Sequence, residues 1–384
     1  MPLRIVIKPR HSLKSIENKK FKKNRKSLKR RKGTTRRKGT KRRKGTKRRK
    51  GTTCRRKSLK KGLLKGGGKR NLTHLNDKPI KSPGSGKGIT CAPHAEDVKM
   101  NDFTCYTTEA LQQLKSLWNA RKPSDKISVT TPHDIWKQLN ARMASSCSTE
   151  RCWLKQEFAK DVSADVANNT FSPEAPSSWL KNPNEWLSSV DITKVMKQYE
   201  FRFKCFNFIG PTPIDFDKRL VNKKCVWEEL CQLGTTPESL TRYLNKGVYK
   251  IGIIFNTDPH TKDGEHWISL FINFKKKFLF YFDSNGSAVP KEVKALADRV
   301  IAQAAKLPTP LTLTFAENAP LEHQFGNTEC GMYSLYVIAC LLKEKAGAKH
   351  NSYQDFCDKN KLITDADMTD LRPEMFYLDK DRVK

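Results

Sequence analysis

The sequence predicts an α+β fold, a mixed central β-sheet flanked by helices, preceded by an N-terminal helical arm and a disordered basic tail. Two observations predict this class. Residues 98–175 carry only helical patterns of apolar residues, and the β-rich runs lie between residues 248 and 317 with helical patterns on both sides. Positive charge is concentrated before residue 70, where apolar periodicity is missing.

The basic tail, residues 1–70, contains 33 Lys and Arg against one acid, Glu17, whereas the rest of the chain has 42 against 38. The pentapeptide RRKGT recurs with a period of six, starting at Arg30, Arg36, Arg42 and Arg48. Such a segment repels itself and buries no apolar surface, so we expect it to be disordered. Neutralisation of phosphates predicts that it binds DNA or another polyanion; a nuclear localisation signal or a solvating tail is the alternative.

Changes in composition divide the chain into four regions. The motif LLKGGGKRN (63–71) ends the basic block, and KPIKSPGSGKG (78–88) is rich in Pro, Gly and Ser. We therefore expect a polybasic tail, a flexible linker, a helical arm and a main globular domain at 1–70, 71–97, 98–175 and 176–384.

The eleven cysteines follow no zinc-binding spacing, so no metal site is predicted and free thiols in a reducing compartment are expected. No apolar stretch approaches the roughly 18–20 residues of a membrane span. The N-terminus has no apolar core of signal-peptide type. These features predict a cytosolic, nuclear or viral-particle protein without a membrane partner.

The individual elements have clear local signals. In TPHDIWKQLNARM, Thr131 is the expected N-cap and Pro132 the first helical residue. Pro290 starts a second amphipathic helix, and the apolar run from Cys330 predicts a buried central helix with Gly347 as its C-cap. Helices are expected at 132–143, 184–200, 290–305 and 330–344, and strands at 248–257, 266–274, 278–284 and 311–317.

A hairpin predicts that His266 and Asp283 are neighbours. The lysines at 275–277 form a tight polar turn between two β-rich runs. Both residues are equidistant from its middle, at about 274/275, which places them across from each other or one rung apart. At that distance an Asp can orient an imidazole. Taken alone, the pair is more typical of two polar residues at the exposed rim of a hairpin.

Cys330 stands where polar residues give way to the apolar run. A thiol at a helix N-terminus lies at the positive end of the helix dipole, which favours the thiolate. Gly331 leaves room for a substrate backbone, and Gln324 in the preceding loop can donate a hydrogen bond to a developing oxyanion, together with the backbone N–H of Cys330. Cys340, deeper in the same helix, illustrates the alternative of an inert core thiol.

The order His-Trp, Asp-Ser, Gln, Cys-Gly resembles the cysteine proteases that process SUMO-like proteins, together with the adenovirus-type viral proteases (clan CE). The matching motifs are GEHWISLFIN, YFDSNG and QFGNTECGMYSL. The 17-residue step from His266 to Asp283 and the six-residue step from Gln324 to Cys330 agree with the family pattern. EWLSSVDITKVM is similar to the upstream Trp-Leu motif, with Ser188 and Ser189 where Asn-Asp is common.

The resemblance implies a papain-like cysteine protease domain over 176–384, with no metal or organic cofactor. It implies Cys330 as the nucleophile, His266 as general base and acid, and Asp283 as the residue that orients the histidine. Gln324 is then part of the oxyanion hole. It also implies that Trp186, Trp267 and Gly331 are substrate-binding residues.

CSTERCWLKQ and FNFIGPTPIDFD resemble parts of thiol proteases from large cytoplasmic DNA viruses. This implies cleavage of structural polyproteins after Gly-Gly during virion maturation, in the virion and the host cytoplasm. Nucleic acid bound by residues 1–70 is the expected activator, by analogy with adenovirus-type proteases. With that specificity, Gly66, Gly67 and Gly68 are a candidate self-cleavage site, the alternative being a flexible hinge.

Two other functions remain open from the sequence. One is a protease that removes SUMO- or ubiquitin-like proteins from conjugates, with the tail as a nuclear address. The other is a genome-packaging protein that uses the basic tail and carries an inactive protease domain.

Overall fold

The computed structural model describes residues 101–378, residues 90–93, and the backbone of residues 52–53, 80–81 and 88–89. Most of the predicted tail and linker, with Gly66, Gly67 and Gly68, lies outside the described residues, and what was predicted for these segments remains a prediction.

Nine α-helices and eight strands are present in the described residues. The helices are α1 Thr108–Arg121, α2 Pro132–Met143, α3 Ala164–Asn169, α4 Ser189–Arg202, α5 Glu228–Gln232, α6 Pro237–Leu244, α7 Lys291–Ala304, α8 Cys330–Lys343 and α9 Asp365–Met375. The strands are β1 Thr52–Thr53, β2 Ile80–Lys81, β3 Gly88–Ile89, β4 Phe206–Pro213, β5 Lys250–Asn256, β6 Trp267–Asn273, β7 Phe278–Phe282 and β8 Thr314–Glu317.

The central sheet is mixed, with the strand order β1-β8-β7-β6-β5-β4. The pairs β5–β6 and β6–β7 are antiparallel, whereas β4–β5, β7–β8 and β1–β8 are parallel. Strands β2 and β3 form a separate antiparallel pair. The predicted α+β class, a mixed sheet flanked by helices, is confirmed.

Helices cover both faces of this sheet because its side chains alternate between them. Phe278, Phe280 and Phe282 of β7 pack into the cluster formed with α4, α8 and α9. Leu279 and Tyr281 pack on the opposite face with α6 and α7. Every residue of α8 from Cys330 to Leu342 is buried, which confirms the predicted central helix.

The arm packs around its own apolar cluster. Thr131 caps α2 and Pro132 is its first residue, as predicted. One face of each long helix is buried, through Leu111, Leu114 and Trp118 of α1 and Ile135, Trp136 and Leu139 of α2.

The structure differs from the prediction at two helix ends and in one strand. Helix α4 begins at Ser189 instead of 184, because Ser188 and Asp191 form a capping box that fixes its start. Helix α8 ends at Lys343, and its C-cap is Glu344 in the left-handed conformation (φ 47°), not the predicted Gly347. Strand β4 was not predicted, since the sequence GPTP (210–213) interrupts a regular strand pattern.

The expectation of free thiols is wrong for six cysteines. Disulfides join Cys91 to Cys105, Cys147 to Cys152 and Cys225 to Cys231. The chain folds back over each short interval, which brings the paired Cα atoms within 5.2 to 6.3 Å. The free thiols among the described residues are Cys205, Cys330, Cys340 and Cys357.

In the part of the chain that the structure describes, no helix has the length and apolar character needed to cross a bilayer.

Candidate active site

His266 and Asp283 meet at the open end of the β6–β7 hairpin. The pairing of Ser269 with Phe282 places Asp283 level with Ile268, so the middle of the hairpin lies one residue beyond the predicted point. His266 is therefore a diagonal neighbour of Asp283, a separation that an imidazole can still span. The His266 Nε2 and Asp283 Oδ1 atoms are 2.7 Å apart.

Asn318 fixes the backbone of Asp283, a role that the sequence analysis missed. Its Oδ1 accepts a hydrogen bond from the Asp283 N–H at 2.9 Å, and its Nδ2 donates to the Asp283 carbonyl at 2.8 Å. The N–H of Asn285 donates to Asp283 Oδ1 at 2.9 Å. In the sequence, the only local signal of this role is an Asn directly after the residues of β8, and the structure shows that this Asn is fully buried. Two hydrogen bonds thus fix the backbone of Asp283, and a third fixes its carboxylate.

Cys330 is the first residue of α8 and is buried at 2% exposure. Its thiol lies close enough to His266 to help raise the pKa of the imidazole. Burial by itself lowers the pKa of His266, but the hydrogen bonds and charges of Asp283 and then Cys330 outweigh burial and raise this pKa to about 9. The imidazole is charged below that pKa and lies beside the sulfur, so His266 is placed to carry a proton for Cys330.

Cys340 behaves as the inert thiol that the sequence predicted. It lies in the same helix, and burial raises the pKa of Cys340 to about 12. Its sulfur therefore stays protonated at neutral pH, which makes it a matched comparison for Cys330.

Gln324 is held in the loop between β8 and α8. Its Oε1 accepts a hydrogen bond from Ser284 Oγ at 2.7 Å, and its Nε2 donates to the Gly326 carbonyl at 3.0 Å. Ser284 directly follows Asp283, so the amide is tied to the same corner as the acid. The carboxamide has a second N–H for an oxyanion.

Leu187 joins the two elements that carry His266 and Cys330. Trp267 Nε1 donates to the Leu187 carbonyl at 3.0 Å. A Cβ on Gly331 would lie 2.9 Å from the Cβ of Leu187, so the absence of a side chain at Gly331 accommodates Leu187. This is a different role from the predicted space for a substrate backbone. Trp186, in contrast, is 42% exposed beside this contact.

Asp365, the first residue of α9, holds the loop before the nucleophile. Its Oδ2 accepts hydrogen bonds from the backbone N–H groups of Phe325 and Gly326, at 3.0 and 2.8 Å. The Tyr333 hydroxyl donates to its Oδ1 at 3.1 Å. Because these contacts span about 40 residues, no local pattern could have predicted them.

A buried ion pair fixes the residue that precedes Cys330. Arg372 Nε donates to Glu329 Oε2 at 3.0 Å, and both side chains are at most 5% exposed. The guanidinium also donates to the Thr328 carbonyl at 3.4 Å and lies 4.6 Å from the centre of the Trp179 ring. Helix α9 therefore contacts the loop before α8 at two places, at Phe325 and Gly326 through Asp365 and at Thr328 and Glu329 through Arg372.

Comparison with known proteins places the catalytic part of the chain. Residues 234–384 match the model of the Ulp1 protease family, C-terminal catalytic domain. A protein of Acanthamoeba polyphaga mimivirus, assigned as a thiol protease, is 27% identical over 272 residues, 66% of this chain and 84% of that protein. A SUMO-1 cysteine protease of African swine fever virus is 33% identical over 252 residues, 62% of this chain and 86% of that protein.

Solved structures of proteases are also similar. The crystal structure of a protease from African swine fever virus has a TM-score of 0.47 at 19% identity, over 76% of this chain and 96% of that chain. The C-terminal protease domain of Ulp1 in complex with Smt3, the yeast ortholog of SUMO, has a TM-score of 0.31 at 16% identity, over 49% and 77%.

Proposed function

Because the chain belongs to the Ulp1 family of cysteine proteases, we propose that it is an endopeptidase that cleaves viral structural polyproteins after Gly-Gly motifs during virion maturation. The observation that carries this proposal is the contact series from Asp283 through His266 to Cys330. In it Cys330 is the nucleophile, His266 the proton carrier and Asp283 the group that orients it.

The reaction follows from these positions. The Cys330 thiolate attacks the carbonyl carbon of the scissile peptide, and the oxyanion accepts hydrogen bonds from the Cys330 N–H and from Gln324. His266 then donates its proton to the leaving amine, which departs and leaves an acyl-enzyme. His266 then deprotonates a water molecule, which attacks the acyl carbon. The thioester bond breaks, the carboxylate product leaves, and Cys330 and His266 return to their starting state.

Bulky side chains around the nucleophile support a preference for Gly-Gly. Leu187 fills the space beside Gly331, and Trp267 is held against Leu187 by its indole N–H. Trp186 stands exposed at the same place. A substrate without side chains next to the scissile bond fits such a site best.

The relatives come from mimivirus and African swine fever virus, and this supports a location for the reaction within a viral infection. We propose the virion and the host cytoplasm as its location.

Removal of SUMO-like proteins is the second candidate. It is favoured by the name of one relative, a SUMO-1 cysteine protease, and by the match to the Ulp1 family model. Because both reactions use the same nucleophile, only the substrate distinguishes them.

The test compares a Gly-Gly polyprotein peptide with a SUMO-type conjugate, using purified full-length protein. We expect cleavage of the peptide after Gly-Gly, and loss of at least roughly 10³-fold in kcat/KM for Cys330→Ala. Cys340→Ala, which removes the inert thiol of the same helix, should keep its activity. Cleavage by Cys330→Ala at the wild-type rate would refute the assignment, and cleavage of the conjugate alone would favour the second candidate.

A further inference from the structure

A groove of about 1180 Å³ runs between the arm and α4. One face of α4 forms its floor, through Ser189, Val190, Thr193, Lys194, Lys197 and Phe201. From Ser189 to Phe201 this face is about 18 Å long, the length of five or six residues of extended chain. The groove therefore has the size to take a peptide segment.

The arm is fastened to α4 at one end of this groove. Gln198 Nε2 donates to the carbonyls of Asn168 and Phe171, at 2.7 and 2.9 Å, and Arg202 Nη2 donates to the Asn169 carbonyl at 2.6 Å. These contacts lie in the C-terminal half of α4. The groove floor extends from there to the N-terminus of α4, where Val190 is 58% exposed.

The groove leads toward the nucleophile. Leu187, which contacts Gly331, is only three residues before Val190. Consecutive Cα atoms are 3.8 Å apart, so the Cα of Val190 lies within about 11 Å of the Cα of Leu187. A chain that leaves the active site along this segment can therefore reach the groove.

The groove lining carries four cationic side chains, Arg151, Lys155, Lys194 and Lys197, against two acidic ones, Glu174 and Glu229, which leaves an excess of two positive charges. Lys194 is exposed and has no ion pair within the described residues. Lys155, on the arm side, is 53% exposed and reaches Glu174 only at 4.0 Å. Exposed cations in such positions attract an anionic partner and discriminate against a cationic one.

We propose that this groove binds an acidic segment of the substrate that flanks the scissile bond, so that the arm selects substrates by charge outside the Gly-Gly motif. The inference rests on the proposed function, because it treats the occupant as part of a cleaved polypeptide. Residues 1–70 carry the same sign of charge as the groove and are therefore unsuited to occupy it.

The test uses peptides with a central Gly-Gly site and six-residue flanks that are neutral, acidic or basic, with the charge placed before or after the site. KM and kcat are measured for full-length wild type, for Lys155→Glu/Lys194→Glu, and for Lys306→Glu. The last is a matched control with the same change at an exposed lysine after α7, outside the groove. Binding of a fluorescent acidic peptide to the Cys330→Ala protein gives a readout that does not need cleavage.

We expect wild type to prefer an acidic flank over a neutral one by about tenfold in KM, on at least one side, and this preference should weaken with added salt. The double reversal should invert the preference toward the basic flank, which misfolding would not do, and Lys306→Glu should keep it. Equal KM for all flanks, or acidic preference unchanged by the double reversal, would overturn the groove proposal. If no peptide is cleaved, the proposed function is refuted instead. Binding of the fluorescent acidic peptide to the Cys330→Ala protein, measured by anisotropy, would still decide whether the groove binds an acidic segment.

Discussion

At the scale of single residues, the site depends on groups that orient other groups. Asn318 holds both backbone polar groups of Asp283, and Asp283 in turn holds Nε2 of His266. This leaves Nδ1 as the ring nitrogen for the thiol of Cys330. Asp283 therefore both orients the imidazole ring of His266 and favours its protonated form.

Asp283→Asn should change the pH dependence of catalysis. In wild type the pKa of His266 is about 9, so the ring is protonated below that pH and kcat/KM should fall above it, as the thiolate loses its cationic partner. The substitution removes a charge and a hydrogen bond that raise this pKa and leaves the burial that lowers it. The alkaline limb should move to lower pH, and kcat/KM at neutral pH should fall by about 10²- to 10⁴-fold.

The measurement is kcat/KM across pH 5 to 11, together with the rate of Cys330 alkylation by iodoacetamide. Asp215→Asn is the matched control, since Asp215 makes a contact of the same 2.7 Å length with His260 on a loop outside the site. An alkaline limb that stays at the same pH in Asp283→Asn would contradict the assigned role of the acid.

At the scale of elements, two helices position Cys330, the proposed nucleophile. Helix α8 presents Cys330 at its first residue, while α9 holds the preceding loop through Asp365 and Arg372. The buried pair of Arg372 with Glu329 is costly to break because each partner would leave an uncompensated charge. The last helix is therefore a positioning element for the site.

Arg372→Met should lower the free energy of unfolding by about 3 to 5 kcal/mol, because Glu329 remains buried and unpaired. The double variant Glu329→Gln/Arg372→Met should lose markedly less, since no buried charge is left. Urea unfolding of the two variants and wild type measures the difference. If the double variant is as unstable as the single one, the pair does not act through its charges.

At the scale of the whole molecule, charge separates the tail from the part that carries the site. Residues 1–70 hold 33 of the 75 Lys and Arg but one of the 39 acids. We propose that this tail tethers the protease to DNA or another polyanion and thereby brings it to substrates on the same polymer.

Deletion of residues 1–70 should abolish salt-dependent binding to nonspecific duplex DNA. For the full chain we expect affinity to fall by roughly 10³-fold or more between 50 and 200 mM salt, as counterion release predicts. Fluorescence anisotropy measures binding, and thermal unfolding checks that the shortened chain is folded. Equal DNA affinity with and without the tail would show that the body binds the polyanion.

Local patterns predicted much of the fold. The capped start of α2, the apolar run of α8 and the β6–β7 hairpin depend on residues a few positions apart, and all three are present. The pairing register differs by two residues from one centred at 274/275, because the exact turn geometry, here with Lys277 at φ 59°, is not encoded by polarity alone. Strand β4 was missed because GPTP (210–213) interrupts its local pattern, and its pairing with β5 joins segments that are distant in sequence.

The sequence by itself predicted the members of the candidate site, His266, Asp283, Gln324 and Cys330, from their order, their spacing and the family resemblance that these carry. Only the tertiary structure decided how they are held. The contacts of Asn318, Asp365 and Arg372 join residues about 35 to 43 positions apart, and the groove arises where the arm packs on α4. Such contacts follow from packing of whole elements, which local propensity and periodicity do not specify.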